Sequence, residues 1–232
     1  MSAARTDAAT ERRARLARFA GLYAVTPDLA DTAMLVRDVE AAIAGGAAAI
    51  QYRNKCADIA LRREQAHAIA GLAARAQTLL IVNDDPALAA AVDADGVHVG
   101  EDDSAIATAR ALVGNDRLVG VSCYDDIERA YAAVDAGADY VAFGSFFDSV
   151  TKPAARRANI DVLRRAAALG VPVVAIGGIT AANAASLVEA GATAVAVITD
   201  VFGSHDPASI TSAAAAIVRV CPAERSLASA SR

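Results

Sequence analysis

Short runs of apolar residues alternate with Ala-rich stretches along most of the chain. The runs have the length of strands, and a strand that is buried on both faces is apolar without interruption. The stretches between them, for example 32–44, 59–76, 126–136 and 181–190, repeat their apolar residues with the period of a helix. The runs predict strands at 22–26, 48–53, 79–83, 96–99, 118–122, 140–143, 173–176 and 194–198.

This alternation of strand and helix determines the expected fold class. Eight parallel strands, each followed by a helix, in a chain of 232 residues predict an α/β protein with a single (β/α)8 TIM barrel. The alternative is an open, doubly wound sheet. The first strand of a dinucleotide-binding sheet of that kind is usually followed by a G-x-G-x-x-G turn, which is missing here. The barrel is therefore favoured.

The chain length suits one α/β domain rather than two. We assign residues 21–220 to the barrel, residues 1–20 to a flexible N-terminal arm and residues 221–232 to a C-terminal tail. The arm is rich in Arg and Ala and lacks the apolar core of a signal peptide. The most apolar stretch, 171–198, contains Pro172 and the Gly177-Gly178 pair, so no membrane span is expected.

Charge and cysteine usage limit the expected partners and compartment. The net charge of −5 provides no basic field for nucleic acid or an anionic membrane, so the expected partners are small molecules. The three cysteines, Cys56, Cys123 and Cys221, are odd in number and far apart. This pattern indicates reduced thiols and a cytoplasmic protein. Whether the chain forms a homo-oligomer is left open.

In parallel barrels the active site lies at the carboxyl ends of the strands, so the residues that follow each predicted strand are the candidates for chemistry. They include both charged groups and glycines. The sets are Gln51-Tyr52-Arg53-Asn54-Lys55, Asn83-Asp84-Asp85, Gly100-Glu101-Asp102-Asp103, Ser122, the 144–153 loop with Ser149, Thr151 and Lys152, Gly177-Gly178, and Ile198-Thr199.

These strand ends predict two sites for anions. Arg53, Lys55 and Lys152 together with separated carboxylates suit a diphosphate that is bridged by Mg²⁺, which prefers one or two carboxylates with phosphate oxygens and water. The ends of the seventh and eighth strands are the usual place for a phosphate in such barrels, because backbone N–H groups there are available to bind it.

Several of these residues also have a purely structural interpretation. Asp85 precedes Pro86 and is expected to cap the helix that begins there, which leaves Asp84 for the metal. His98 lies within a strand and is interpreted as a packed histidine rather than a ligand. No Ser/His/Asp or Cys/His arrangement is present, so nucleophilic catalysis is not indicated.

Ordered blocks of the sequence resemble the thiamine phosphate synthase family. The match runs from about Gly21 to Thr199, and the order of the blocks is more specific than any one of them. The blocks are GLYAVTPD at 21–28, QYRNK at 51–55, ND at 83–84, ADGVHVG at 94–100, GVS at 120–122, ADYVAFG at 138–144, TKP at 151–153 and AIGGI at 175–179.

The resemblance implies a (β/α)8 barrel and a transferase reaction of thiamine biosynthesis. In that reaction 4-amino-2-methyl-5-hydroxymethylpyrimidine diphosphate is coupled to 4-methyl-5-(2-phosphoethyl)thiazole, giving thiamine phosphate and diphosphate. The diphosphate is thought to leave first, which produces a pyrimidine-methyl cation that the thiazole nitrogen then attacks. No general base is needed to make that nucleophile.

The resemblance also implies a role for each matched residue. Those implied to bind the pyrimidine diphosphate are Gln51, Tyr52, Arg53, Asn54, Lys55, Asn83, Ser122 and Lys152, of which Arg53, Lys55, Ser122 and Lys152 are catalytic. Asp84 and Asp103 would hold Mg²⁺. The thiazole phosphate would be bound by Ser149, Val150, Thr151, Gly178, Ile198 and Thr199.

Two departures from the family pattern define the alternatives. Tyr124 stands where many members have His, and Asp148 adds negative charge beside the proposed thiazole phosphate site. A related thiazole tautomerase uses the same barrel for proton transfer and needs an acid/base group near Tyr124, often His, but no diphosphate site. A non-catalytic regulatory relative is the other alternative, and such a protein tolerates the loss of metal ligands.

Overall fold

Eight parallel strands close into a barrel in the order in which they occur in the sequence. The computed structural model describes residues 2–100, 103–148 and 157–221. Strands β1 and β8 pair with each other and complete the barrel, which confirms the predicted fold class. The strands are β1 (Gly21–Val25), β2 (Ala49–Tyr52), β3 (Leu79–Asn83), β4 (Gly96–Val99), β5 (Leu118–Tyr124), β6 (Tyr140–Phe143), β7 (Val173–Ile176) and β8 (Ala194–Val197).

Helices cover the outside of the barrel, and most of the longer ones begin at an aspartate. Asp31, Asp58, Asp85, Asp126 and Asp206 each accept a hydrogen bond from an N–H group in the first turn of the helix that follows. The helices are α1 (Ser2–Arg18), α2 (Thr32–Ala44), α3 (Ile59–Ala76), α4 (Pro86–Ala91), α5 (Asp103–Val113), α6 (Ile127–Asp135), α7 (Asp161–Ala166), α8 (Ala184–Glu189), α9 (Thr199–Phe202) and α10 (Pro207–Val220).

Alternate residues of each strand point into the barrel, and their side chains fill its amino-terminal half. Tyr23, Leu79, Ile81 and Tyr140 belong to this inner cluster, which is separate from the larger core between strands and helices. Gly120 makes room for Tyr140, because a Cβ atom at Gly120 would lie 1.9 Å from the Tyr140 ring. Since the amino-terminal half is filled, space for a ligand remains only at the carboxyl ends of the strands.

The amino-terminal segment, which the sequence assigned to an arm, forms helix α1 over Ser2–Arg18. Helix α1 carries Arg15, whose Nε donates to Asp95 Oδ1 at 3.0 Å, while the other Asp95 oxygen accepts from the Leu80 N–H at 2.9 Å. Phe19 follows the helix and stacks on Tyr140, with ring centroids 4.3 Å apart. The segment is therefore attached to the amino-terminal end of the barrel, through partners that are distant in sequence. The expected tail at 221–232 lies outside the described residues after Cys221.

Within the described ranges, no helix is both long enough and apolar enough to cross a bilayer.

The tight packing at Gly120 generates a stability prediction. The substitution Gly120→Ala should lower the free energy of unfolding by about 2–3 kcal/mol, because the ring of Tyr140 has no free space to move into. Gly71→Ala is the matched control, since Gly71 is exposed within α3 and an added methyl group meets only the end of Arg75. There the same change should stabilise the protein by about 0.5–1 kcal/mol. Urea unfolding measures both, and equal effects would contradict the packing argument.

Candidate active site

A cavity of about 790 Å³ opens at the carboxyl ends of the strands. Its size suits one or two small-molecule ligands. Nine of the residues expected to bind a substrate or metal line it: Gln51, Arg53, Lys55, Asn83, Asp84, Ser122, Gly178, Ile198 and Thr199. Ser149, Val150, Thr151 and Lys152 lie outside the described residues, and Asp103 begins α5 but its side chain is not among those described.

Two residues that were expected to bind substrate point away from the cavity. The Tyr52 hydroxyl donates to Gln65 Oε1 at 3.0 Å, and Asn54 Nδ2 donates to the Leu29 carbonyl at 2.8 Å. Side chains alternate across a strand, so Gln51, Arg53 and Lys55 face inward while Tyr52 and Asn54 face the helices. The resemblance assigns 51–55 to one binding block, but the side chains of Tyr52 and Asn54 do not line the cavity, and their part in binding stays a prediction. They support the loop behind the site.

The two cations that follow β2, Arg53 and Lys55, are held in place by residues that follow β1. Arg53 Nη1 lies 2.9 Å from Asp28 Oδ1, and the same oxygen accepts the Lys55 backbone N–H at 2.7 Å. The Arg53 N–H donates to Thr26 Oγ1 at 2.8 Å. No pattern in the sequence marks Asp28 as part of the site. The signal that could have identified it is its position, since it lies just beyond the strand that neighbours β2.

The carboxylate of Asp84 stands at the rim of the cavity, opposite Lys55. Its backbone has φ of +59° and is held by a hydrogen bond from its N–H to the His98 carbonyl at 2.8 Å. Asn83 Nδ2 donates to Asp84 Oδ2 at 2.7 Å, and Lys55 Nζ lies 3.8 Å from the same oxygen. Asp85 turns the other way and accepts the Leu88 N–H at 2.9 Å, which confirms its expected role as a helix cap.

The carboxylates at this rim fit a metal that is shared with a substrate. Among the described residues, no group of three His, Cys, Asp or Glu side chains could hold an ion by itself. Asp84 is 54% exposed and faces the cavity, so it can donate one oxygen ligand. Mg²⁺ is typically bound by one or two carboxylates, with the remaining ligands from phosphate and water.

Beneath the rim, five polar side chains form a buried chain of hydrogen bonds. Gln51 Nε2 donates to the Tyr23 hydroxyl at 2.6 Å, and the hydroxyls of Tyr23 and Tyr140 are 3.0 Å apart. His98 Nδ1 lies 3.1 Å from the Tyr140 oxygen, and His98 Nε2 lies 2.9 Å from Ser122 Oγ. Burial raises the pKa of both tyrosines and lowers the pKa of His98 to about 4. His98 is thus packed and neutral.

The opposite wall of the cavity is formed by the ends of β6, β7 and β8. Gly178 has φ of +62°, and a Cβ atom there would lie 2.2 Å from the Asp148 carbonyl oxygen. Asn183 Nδ2 donates to the Gly178 carbonyl at 3.0 Å. The carboxylate of Asp148 forms an ion pair with Arg157, which offsets the negative charge that this departure from the family pattern adds. Among the described residues, Gly177 and Gly178 bring the backbone to this wall, and its charged side chains, Asp148 and Asp200, are both acidic.

Tyr124 is the second departure, and it stands at the rim of the cavity. Its side chain is 46% exposed, and its backbone is left-handed with φ of +55°. The guanidinium of Arg129 lies 5.6 Å from the centroid of its ring, within the range of a cation–π contact. An aromatic face rather than an imidazole therefore borders the site here.

Comparison with known proteins gives one consistent result. Residues 22–201 match the family model described as thiamine monophosphate synthase. A protein of Thiobacillus denitrificans named thiamine-phosphate synthase is 52% identical over 205 residues, which are 88% of this chain and 96% of that protein. A protein from an Azoarcus species, also named thiamine-phosphate synthase, is 55% identical over 191 residues, which are 82% of this chain and 93% of that protein.

A solved structure agrees with the sequence relatives. The thiamine phosphate pyrophosphorylase from Pyrococcus furiosus superposes with a TM-score of 0.74 at 32% identity, over 89% of this chain and 96% of that one.

The buried position of His98 generates a prediction about pH. In the folded state the pKa of His98 is about 4, below its usual value of 6.5. At pH values between the two, the unfolded state therefore binds more protons than the folded state. Stability should therefore be lost as the pH falls below 6.5, and lowering the pH from 7 to 5 should cost about 2 kcal/mol through this group.

Urea unfolding at pH 7 and pH 5 measures the decrease in the free energy of unfolding for the parent protein and for His98→Gln. The decrease should be smaller in His98→Gln by about the 2 kcal/mol that His98 contributes. His67→Gln, which removes an exposed histidine from α3, is the control. An equal loss in the parent protein and in His98→Gln would contradict the prediction.

Proposed function

The chain belongs to the thiamine monophosphate synthase family and is a transferase that makes thiamine phosphate, and we propose that the cavity at the open end of its barrel is where the two halves join. One half is the hydroxymethylpyrimidine diphosphate and the other is the thiazole phosphate. The observation that carries the proposal is that the cations among the described lining residues, Arg53 and Lys55, lie on one wall beside Asp84. The opposite wall presents the backbone of Gly177 and Gly178.

The charged wall is proposed to bind the diphosphate and to promote its departure. The bond between the pyrimidine methylene carbon and the diphosphate oxygen breaks, and its electron pair leaves with the oxygen. Arg53 and Lys55 can then stabilise the charge that accumulates on the leaving group, because both are held at the rim by Asp28 before any ligand arrives. Lys152, which lies outside the described residues, is proposed to add a third cation.

Mg²⁺ is proposed to sit on the same side, bound by Asp84 and Asp103. When bound, the ion would neutralise charge on the diphosphate as a Lewis acid. The fit of the site to such an ion rests on the exposed carboxylate of Asp84 and on Asn83, whose amide donates to it at 2.7 Å and orients it.

The other wall is proposed to hold the thiazole phosphate, so that the thiazole nitrogen faces the cationic carbon. Gly178, Ile198 and Thr199 line this wall, and the proposed contacts from Ser149, Val150 and Thr151 lie outside the described residues. The lone pair of the nitrogen forms the new bond directly, so no proton has to be removed. Proximity supplies much of the rate enhancement, and the apolar floor around Ala142 and Val174 limits the access of water to the cation.

The tautomerase alternative is disfavoured by two features of the cavity. It requires an acid/base group near the end of β5, where the chain has the exposed Tyr124. It has no use for the charged wall, whose side chains are arranged around Asp28 and Asp84. A non-catalytic relative is disfavoured because the described part of the predicted metal site, Asp84, is present and faces the cavity.

Small-molecule substrates follow from the family. Cys56, Cys123 and Cys221 carry free thiols, which supports the proposed reduced, cytoplasmic compartment. A homo-oligomer stays a prediction.

The proposal predicts that product formation depends on Mg²⁺ and on Asp84. With both substrates present, the protein should release thiamine phosphate and diphosphate in equal amounts when Mg²⁺ is added, and neither after chelation. Asp84→Ala should lower kcat/KM by about a hundredfold or more, since it removes a ligand from a site that acts on the leaving group. Chromatography of both products measures the rate.

The neighbouring carboxylate provides the matched control. Asp85→Ala removes the cap of α4 and should lower the free energy of unfolding by about 1 kcal/mol, while kcat/KM changes by less than about twofold. If Asp85→Ala reduces the rate as much as Asp84→Ala, the assignment of the metal to Asp84 is wrong. If the folded parent protein forms no product, the proposed reaction is wrong, and an isomerised thiazole phosphate would support the tautomerase.

A further inference from the structure

The buried hydrogen-bonded chain beneath the cavity connects opposite sides of the barrel, and its inner members have no role in the scheme above. It runs from Gln51 on β2 through Tyr23 on β1 and Tyr140 on β6 to His98 on β4 and Ser122 on β5. Tyr23, Tyr140 and His98 are 2%, 0% and 7% exposed. Polar groups this deep inside a barrel are costly unless every donor has an acceptor.

The direction of the chain follows from its first member. The Gln51 amide nitrogen faces Tyr23 and can only donate, so the Tyr23 oxygen accepts from it. If every hydroxyl hydrogen is to have an acceptor, Tyr23 donates to Tyr140 and Tyr140 donates to His98 Nδ1. That nitrogen must be unprotonated to accept, which leaves the single imidazole hydrogen on Nε2.

The end of the chain lies at the cavity. When the chain runs in this direction, His98 Nε2 donates to Ser122 Oγ, which is 2.9 Å away. The hydroxyl hydrogen of Ser122 is then free to point at an atom above it, and Ser122 lines the cavity. Rotating the Gln51 amide by half a turn would reverse every bond, and the Ser122 hydrogen would point down at His98 instead.

The floor of the barrel covers one side of this chain. Phe19 packs against both tyrosines, with ring centroids 5.2 Å from Tyr23 and 4.3 Å from Tyr140. Gly120 leaves the space that the Tyr140 ring fills. The floor therefore closes one side of the chain, while Gln51, Tyr23, His98 and Ser122 line the cavity on the other side. The orientation of the Gln51 amide sets the direction of the chain.

We propose that His98 is a positioning residue, which is held as the Nε2–H tautomer by the Gln51–Tyr23–Tyr140 chain and orients Ser122 to donate its hydrogen to an acceptor atom of the pyrimidine diphosphate. The inference rests on the proposed function, because it concerns ligand binding in the same cavity. It assigns to His98 neither metal binding nor proton transfer. It also explains why two phenols and an imidazole occupy these buried positions, although apolar side chains there would bring no polar atoms that need hydrogen-bond partners.

The tautomer can be tested without substrate. In the protein labelled with ¹⁵N-histidine, near neutral pH, His98 Nε2 should show the chemical shift and proton coupling of a protonated nitrogen, and Nδ1 those of an unprotonated one. His98→Gln identifies the signals among the three histidines of the chain. The Nδ1–H tautomer, or a ring protonated on both nitrogens, would overturn the proposal. Because no turnover is involved, the result is independent of the proposed reaction.

A double-mutant cycle tests the effect on Ser122. Tyr140→Phe keeps the ring but removes the hydroxyl that fixes the tautomer, and it should lower kcat/KM by about tenfold. In the Ser122→Ala background the same change should cost less than about twofold, because no hydroxyl remains to be oriented. An equal loss in both backgrounds would show that Tyr140 acts on structure alone and would overturn the proposal.

Tyr52→Phe is the matched control for that cycle. It also removes one hydroxyl, bonded to Gln65 at 3.0 Å, but on the outer face of the barrel. Its effect on kcat/KM should be the same with Ser122 and with Ala at that position, and thermal unfolding of all variants compares the structural cost of each lost hydroxyl.

Rescue provides the last measurement. His98→Gln, whose amide can both accept and donate, should retain more activity than His98→Met, and the reverse order would contradict the proposal.

Discussion

Closure of the sheet between β1 and β8 is the constraint on which the rest of the molecule depends. Gly21 pairs with Ala194 and Ala24 with Val197, so the sheet has no free edge at this join. Alternate side chains then point into a closed interior of fixed size, and their volumes have to match it. Tyr140 occupies so much of that interior that Gly120 can have no side chain. Polar groups fit inside only where they bind each other or reach the open end of the barrel.

The ion pairs at the open end show how the site can be both preformed and ready to exchange partners. Arg53 is held by Asp28, and Lys55 Nζ lies 3.8 Å from Asp84. The Lys55–Asp84 pair is half exposed on both sides, so it contributes little stability and is inexpensive to separate. In the proposed scheme, an arriving diphosphate would replace Asp84 as the partner of Lys55, which would free the Asp84 carboxylate at the same step. The arginine pair is less exposed and keeps its geometry.

Local patterns in the sequence predicted the barrel and part of the site. The strand boundaries, the cap at Asp85 and the inward position of Arg53 all follow from periodicity or neighbouring residues. The side chains of Tyr52 and Asn54 do not line the cavity although they belong to the same contiguous block, because side chains alternate across a strand. The partners of His98 come from other strands, and the contacts of Arg15 with the barrel, at Asp95 and Asp116, lie eighty residues or more away in sequence, so no local pattern could reveal them.

Helix α1 is attached to the barrel by residues that are synthesised long after it. Arg15 binds Asp95, and Arg12 lies 3.5 Å from Asp139, on loops that precede β4 and β6. A chain that leaves the ribosome amino terminus first therefore presents this helix, with Phe19 behind it, well before its docking surface exists. Asp95 is available once β3 has been made, whereas Asp139 and Tyr140 follow β5 in the sequence. The floor that Phe19 forms under Tyr23 and Tyr140 can therefore close only after β6 has been made.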